Sequence, residues 1–261
     1  MRAAAVWLGA RVLRVLEYLG GVSRLGGQAL VQAARPPYEL HVLIRQIDLV
    51  GVRSLAVISV AAVFTGLVLA LQTSYALVRF GAKALSGMIV GLAMVRELGP
   101  MLTALLVGGR VGSGITAELG SMQVTEQIDA MRVMGTSPVK KLVVPRVVAT
   151  IFVMPILTLI ADVVGIVGGM LIMKIEFGVS YYQYYNSMIA ALRLADLLSG
   201  LGKTVFFGLI IGLVGCYEGL QVSGGTEGLG RATTKTVVTS SVAVIVSTFF
   251  LTKFFWWLEG W

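Results

Sequence analysis

Ala84-Leu85-Ser86-Gly87-Met88-Ile89-Val90-Gly91-Leu92-Ala93-Met94-Val95-Arg96-Glu97-Leu98-Gly99-Pro100-Met101-Leu102-Thr103-Ala104-Leu105-Leu106-Val107-Gly108-Gly109 is the stretch on which the reading of this chain turns. Its two halves carry no charge and suit a lipid environment, yet Arg96 and Glu97 stand between them, three residues before Pro100. An ionic side chain at bilayer depth costs several kcal/mol unless it is paired or faces a polar cavity. The pair therefore marks either a packing constraint or the working part of a membrane protein.

The composition around it agrees with a membrane setting. Of 261 residues, 57% are hydrophobic and 13% charged, with a mean hydropathy of +0.88. Soluble domains carry about 25% charged residues. The net charge of +8 fits Lys and Arg gathered beside anionic lipid on the cytoplasmic side; nucleic-acid binding is not expected. Cys216 is the only cysteine and His41 the only histidine. That excludes a disulfide framework and a Cys- or His-based metal site, and leaves enzymatic chemistry of that kind without partners. No cleavable signal peptide is expected, because Arg11 and Arg14 interrupt the apolar start.

The expected fold is an all-α polytopic membrane protein with about five transmembrane helices, an N-terminal interfacial helix and a helix in the cytoplasmic loop. Residues 1–53 form the amphipathic interfacial and connecting helices. The first is too charged to span, with Arg2, Arg11, Arg14, Arg24 and Arg35, and stops at Pro36-Pro37; the second runs from near Glu39 to Arg53. Residues 54–255 form the transmembrane domain, with the cytoplasmic loop at residues 110–146. Its spans are expected at Ser54–Val78, Ala84–Gly109, Val147–Met173, Leu197–Tyr217 and Thr236–Thr252. With the N-terminus in the cytoplasm, fourteen Lys and Arg fall inside and six outside. This places the C-terminus in the periplasm.

Small residues at four-residue spacing (Gly87/Gly91, Gly165/Gly169, Gly208/Gly212) predict close helix contact, with a dimer face as a second reading. Gly202-Lys203-Thr204 resembles the end of a phosphate-binding loop, but Leu197 occupies the required first glycine and no strand precedes it. Lys203 is instead expected at a membrane interface, meeting lipid head groups. Asp162 stands alone in the third span; it is expected to be protonated, paired across helices, or near an interface. Within the inside loop, residues 110–146, Glu118, Glu126, Asp129 and Arg132 alternate with Leu119, Met122, Ile128, Met131 and Met134. This periodicity fits equally a helix resting on the membrane surface and one that docks in a partner's groove.

The run Ala117-Glu118-Leu119-Gly120-Ser121-Met122-Gln123-Val124-Thr125-Glu126-Gln127-Ile128-Asp129-Ala130-Met131, with Met134-Gly135 and Leu142-Val143-Val144-Pro145-Arg146, resembles the MlaE (YrbE) permease family. Arg96-Glu97-Leu98-Gly99-Pro100 and Gly224-Gly225-Thr226-Glu227-Gly228-Leu229-Gly230-Arg231-Ala232-Thr233-Thr234 are similar to it too. The resemblance covers roughly residues 40 to 255. It implies the membrane subunit of an ABC transporter in the bacterial inner membrane that moves phospholipid between inner and outer membranes and maintains lipid asymmetry.

By the same resemblance, the subunit is a homodimer clamped by ABC ATPase subunits, with a STAS-domain protein on each and a hexameric periplasmic MCE-domain ring. ATP and Mg would bind in the partner, and no cofactor in this chain. The resemblance also implies a lipid cavity at Leu69, Ala76, Leu77, Phe80, Arg96, Glu97 and Leu98. Phe80 stands where some relatives carry tyrosine. It further implies head-group contacts at Arg45, Lys203 and Arg231, and an ATPase-coupling helix carrying Glu118, Met122, Glu126, Ile128, Asp129 and Met131. The competing expectation is a proton-coupled secondary transporter using Glu97 and Asp162.

Overall fold

A computed structural model describes residues 2–36 and 40–258, with side chains from residue 9 onward. Among the described residues every regular element is helical, and five helical stretches are long and apolar enough to cross a membrane. Helix α1 is Arg2–Ala33, followed by α2, Leu40–Val50. The predicted stop at Pro37 and helix start at Glu39 lie outside the described residues.

Helix α3 (Val52–Val78) follows α2 after Gly51 alone. The two make one apolar stretch, Leu40–Val78. The second stretch, Lys83–Val124, is 42 residues long and contains α4 (Ser86–Ala93), α5 (Gly99–Val107) and α6 (Ser113–Val124). Two π-helical turns join them, Met94–Leu98 and Gly108–Gly112. Helix α7 is Gln127–Val133. A third π turn, Val139–Val143, opens α8, Val144–Phe177. Short α9 (Tyr181–Ala191) leads to α10 (Leu194–Leu220) and α11 (Gly225–Leu258).

Two expectations need correction here. The second span does not stop at Gly109. At about 1.5 Å per residue its 42 residues reach about 63 Å, twice the roughly 30 Å of a hydrocarbon core. The chain therefore leaves the membrane still helical, and residues 113–124 belong to that rod. Nor is Glu118–Met134 one helix: it breaks at Glu126, which takes a left-handed backbone (φ 58°) between α6 and α7. For a residue with a Cβ that conformation costs on the order of 1–2 kcal/mol.

The core forms around α8, which packs on α3, α10, α2 and α5. The contacts are close because small residues meet backbone. Gly66 of α3 lies directly on the Gly165 carbonyl, and a Cβ on Gly208 of α10 would stand 2.7 Å from the Thr150 carbonyl. Gly87 and Gly91 press on α9 at Tyr184 and Met188. All three small-residue pairs thus serve contacts inside one chain. Where lipid surrounds the protein, such packing replaces the hydrophobic drive that holds soluble cores. Helix α11 is the least covered span, with 11% of its apolar window buried.

A Gly66→Val substitution should therefore force α3 off α8 and cost about 1–3 kcal/mol, read as a lower thermal midpoint in detergent. Gly20→Ala, where a Cβ meets nothing within 4 Å, should leave the midpoint unchanged or slightly raised.

Candidate functional site

The π turn Met94–Leu98 carries the charged pair, and Pro100 begins α5 just beyond it. A π turn fits one extra residue into the helix and often marks a functional position. Proline brings a second irregularity: it has no N–H for the carbonyl four residues earlier, that of Arg96. Lys203 of α10 takes the place of that donor, its Nζ lying 3.0 Å from the Arg96 carbonyl oxygen. The same ammonium donates to Glu97 Oε1 at 2.6 Å. Thr252 of α11 donates to that oxygen too, at 2.9 Å.

Arg96 faces the other way along α10. Its Nε donates to Asp196 Oδ1 at 2.6 Å, and its Nη2 pairs with the same oxygen. The other oxygen, Asp196 Oδ2, accepts the Arg193 backbone N–H at 2.9 Å. Asp196 thus also serves the positive N-terminal end of α10. Seven residues separate Asp196 from Lys203, two turns on one face of α10. Between them Gly200 lets the backbones touch, since a Cβ there would run into the Val95 carbonyl. Two cations and two carboxylates form a neutral quartet across two spans, and Thr252 joins a third to it.

Exposure divides the quartet. The Lys203 and Asp196 side chains are each 2% exposed, while Arg96 and Glu97 are each 39% exposed. The buried members fix the half-open ones, which present a cation and an anion to the space beside the helices. Asp162 of α8 lies on the other side of the same kink, against Gly99. It is buried at 2%, and neither carboxylate oxygen has a hydrogen-bond partner.

The remaining expected residues divide into three groups. Leu69 and Leu98 pack against one cluster with Met94, Val90 and Tyr184. Farther along the same stripe of α3, Leu77 is half-buried and Ala76 exposed, and Phe80 just beyond the helix is fully open to its surroundings. Arg45 and Arg231 are exposed, Arg231 standing 3.6 Å from Glu227 one turn away. Lys203 departs from expectation: it is inside the protein on Glu97 and does not stand at an interface. A charge with a counter-ion in its own fold needs no head group to stabilise it.

The α6–α7 elbow is also rearranged. Ile128 is fully buried, and Met122 and Met131 pack on the core. The exposed apolar residues are Val124, Val133 and Met134. Glu118 holds the buried Arg146 at 2.8 Å, and Asp129 pairs with Arg132 at 2.7 Å. Among the described residues no group of acidic, His or Cys side chains is suited to hold a metal.

Asp196 and Thr252 were not anticipated. The signal for Asp196 was the pair it makes with Lys203, opposite in sign to Arg96-Glu97 and spaced to share a helix face. Thr252 gave none, since one hydroxyl in an apolar span usually bonds its own backbone.

The fold and this charged, half-open kink define a polytopic helical membrane protein of the permease class. Residues 43–254 match the family described as Permease MlaE, and the chain belongs to that family. It is 40% identical over 248 residues to a "Probable ABC transporter permease protein" of Rickettsia felis, covering 95% of this chain and 96% of that one. It is 34% identical over 246 residues to the "Intermembrane phospholipid transport system permease protein MlaE" of Haemophilus influenzae, covering 94% of each. Over 231 residues it is 35% identical to "Protein TRIGALACTOSYLDIACYLGLYCEROL 1, chloroplastic" of Arabidopsis thaliana, covering 88% of this chain and 66% of that one.

Removing one member of a buried ion pair costs about 3–5 kcal/mol. Glu97→Gln should show a loss of that kind, because it strands Lys203. The double variant Glu97→Gln/Lys203→Met should recover much of it. A double-mutant cycle of denaturation in detergent checks this, with an expected coupling of about 2 kcal/mol.

Proposed function

We propose that the chain is the membrane subunit of an ATP-driven transporter that carries phospholipid between the inner and outer membranes and so maintains outer-membrane lipid asymmetry. The observation that carries this reading is the half-open Arg96–Glu97 face, held from behind by buried Asp196 and Lys203. A phospholipid requires an apolar slot for its tails and a cation for its phosphate. Leu69, Ala76, Leu77, Phe80 and Leu98 supply the first. Arg96 supplies the second, with a planar guanidinium able to grip two phosphate oxygens.

Asp196 holds Arg96, and Lys203 with Thr252 holds Glu97. An arriving phosphate competes with Asp196 for Arg96, so lipid affinity depends on how far α10 stands from the π turn. Any step that moves α10 or α11 against that turn changes the affinity, which is what a transport cycle needs. Two copies of the chain enclose the cavity, and Arg45 and Arg231 meet head groups at its approaches. The exposed elbow of α6 and α7 receives a partner ATPase, which binds ATP and Mg. A STAS-domain subunit and a hexameric periplasmic MCE-domain ring complete the assembly. The N-terminus is cytoplasmic and the C-terminus periplasmic, in the bacterial inner membrane.

Asp162 favours a second reading. An unpartnered carboxyl at depth is the usual equipment of a proton-coupled carrier, which would use Glu97 as well. In proteoliposomes the two readings separate: a pH gradient without ATP drives the second and not the first.

Three outcomes are expected. The purified chain alone hydrolyses no ATP yet releases phospholipid on solvent extraction. Arg96→Ala, reconstituted with the ATPase, lowers lipid transfer at least about tenfold, the loss of one charge-assisted contact. Glu126→Lys at the elbow, a reversal of charge on an exposed side chain, removes stimulation of the ATPase while the thermal midpoint changes little. ATP hydrolysis by the chain without a partner, or normal transfer by Arg96→Ala, overturns the reading.

A further inference from the structure

A cavity of about 1150 Å³ opens between α1, α10 and α11, with Leu19, Val22, Leu213, Val242 and Phe250 among the residues lining it. It lies apart from the charged quartet, and its walls are almost wholly apolar. Its volume slightly exceeds the roughly 300–1,000 Å³ of pockets that hold drug-sized ligands. Along α10 the lining runs from Phe206 to Val214, about 12 Å at 1.5 Å per residue. Along α11 it runs from Lys235 to Leu251, about 24 Å, which is room for acyl chains within the roughly 30 Å core.

Arg14 and Lys235 also line this cavity. Lys235 pairs with buried Glu218 at 2.9 Å and lies 5.0 Å from the centre of the Tyr18 ring. Burial, and then the nearby Glu218 carboxylate, push the Tyr18 hydroxyl well above its ordinary range, so it adds no charge. Arg14 is exposed and donates its Nε to the Ala10 carbonyl at 3.2 Å. Among the described residues no carboxylate lies within ion-pair distance of it. With Lys235 balanced by Glu218, Arg14 leaves one net positive charge on an apolar groove long enough for acyl chains.

We infer that this groove is a second lipid site, distinct from the transport path, that holds a phosphate-bearing lipid with its phosphate on Arg14 and its acyl chains along α10 and α11. The lipid fills the gap between the interfacial helix and the last two spans, and ties α1 to them. This assignment does not depend on the proposed transport function.

The test places photo-reactive p-benzoylphenylalanine at Val242, which is 55% exposed, in the full chain stripped of lipid by detergent. The protein is then offered phosphatidylglycerol, phosphatidylethanolamine or diacylglycerol with the same acyl chains. Both phospholipids should give a cross-linked adduct, and diacylglycerol about fivefold less, the effect of one cation near a lipid phosphate. Arg14→Ala should reduce the phospholipid adducts to the diacylglycerol level. Equal labelling by all three lipids identifies an ordinary lipid coat and overturns the site, as does indifference to Arg14→Ala. Cross-linking to a second copy of the chain assigns the groove to a protein interface and overturns it too. Because the readout involves no transport, its failure leaves the proposed function standing.

Discussion

Pro100 leaves the Arg96 carbonyl without its α-helical donor inside a membrane span. A backbone carbonyl in hydrocarbon must be satisfied within the protein, and here an ammonium from another helix does so. That substitution has a chain of consequences. An ammonium buried at 2% exposure needs a counter-ion, which Glu97 provides from the same turn as the carbonyl. Glu97 brings Arg96 beside it, and Arg96 finds Asp196 two helical turns along α10 from Lys203. The kink, the lysine and the two ion pairs form one unit, and no part of it can be changed without loading the others.

The small residues around the quartet make that unit possible. Lys203 reaches a carbonyl only because Gly200 brings α10 onto Val95, and α5 meets α8 at Gly99, where only a hydrogen leaves room for Asp162. A larger side chain at either glycine would separate the backbones and leave the charges without partners. Close packing and ion pairing are thus one constraint seen at two scales. It holds the π turn between α8 and α10 while leaving Arg96 and Glu97 open on the third side.

Much of this was legible from the residues, and the failures have physical causes. Five apolar runs identified the spans, because hydropathy is a local property. The charge at Arg96-Glu97 and the break at Pro100 identified the site. The ends of the helices were less legible. Placing the fourth span at Leu197 left Asp196 outside the membrane helix, and with it the partner that explains Arg96. Lys203 was placed at an interface because a lone lysine near a span end usually reaches for water; its true partner lies 106 positions away in the chain. The elbow at Glu126 had no glycine or asparagine to announce it. Met122, Ile128 and Met131 were grouped with the acidic residues by periodicity, which cannot tell the inner face from the outer where a helix bends.

The continuity of the second span links the two regions where function is expected. From Glu97 to Glu126 the chain stays helical except at its last turn, about 44 Å at 1.5 Å per residue. A rod of that length carries a displacement at the elbow to the charged turn with little loss, and its base is braced where Glu118 grips buried Arg146 of α8. The rod is interrupted only by π turns. Absorbing or releasing the extra residue of such a turn rotates everything beyond it by about 100°, one residue's share of a helical turn. The turn at Gly108–Gly112 lies between the elbow and the quartet, and its glycines impose few side-chain contacts on such a shift. A push on the elbow therefore reaches Arg96 and Glu97 either as a translation of the whole rod or as a rotation released at that turn. Either motion takes Gly99 off Asp162 and Val95 off Gly200, so Asp196 and Lys203 can exchange partners only when those two close contacts open.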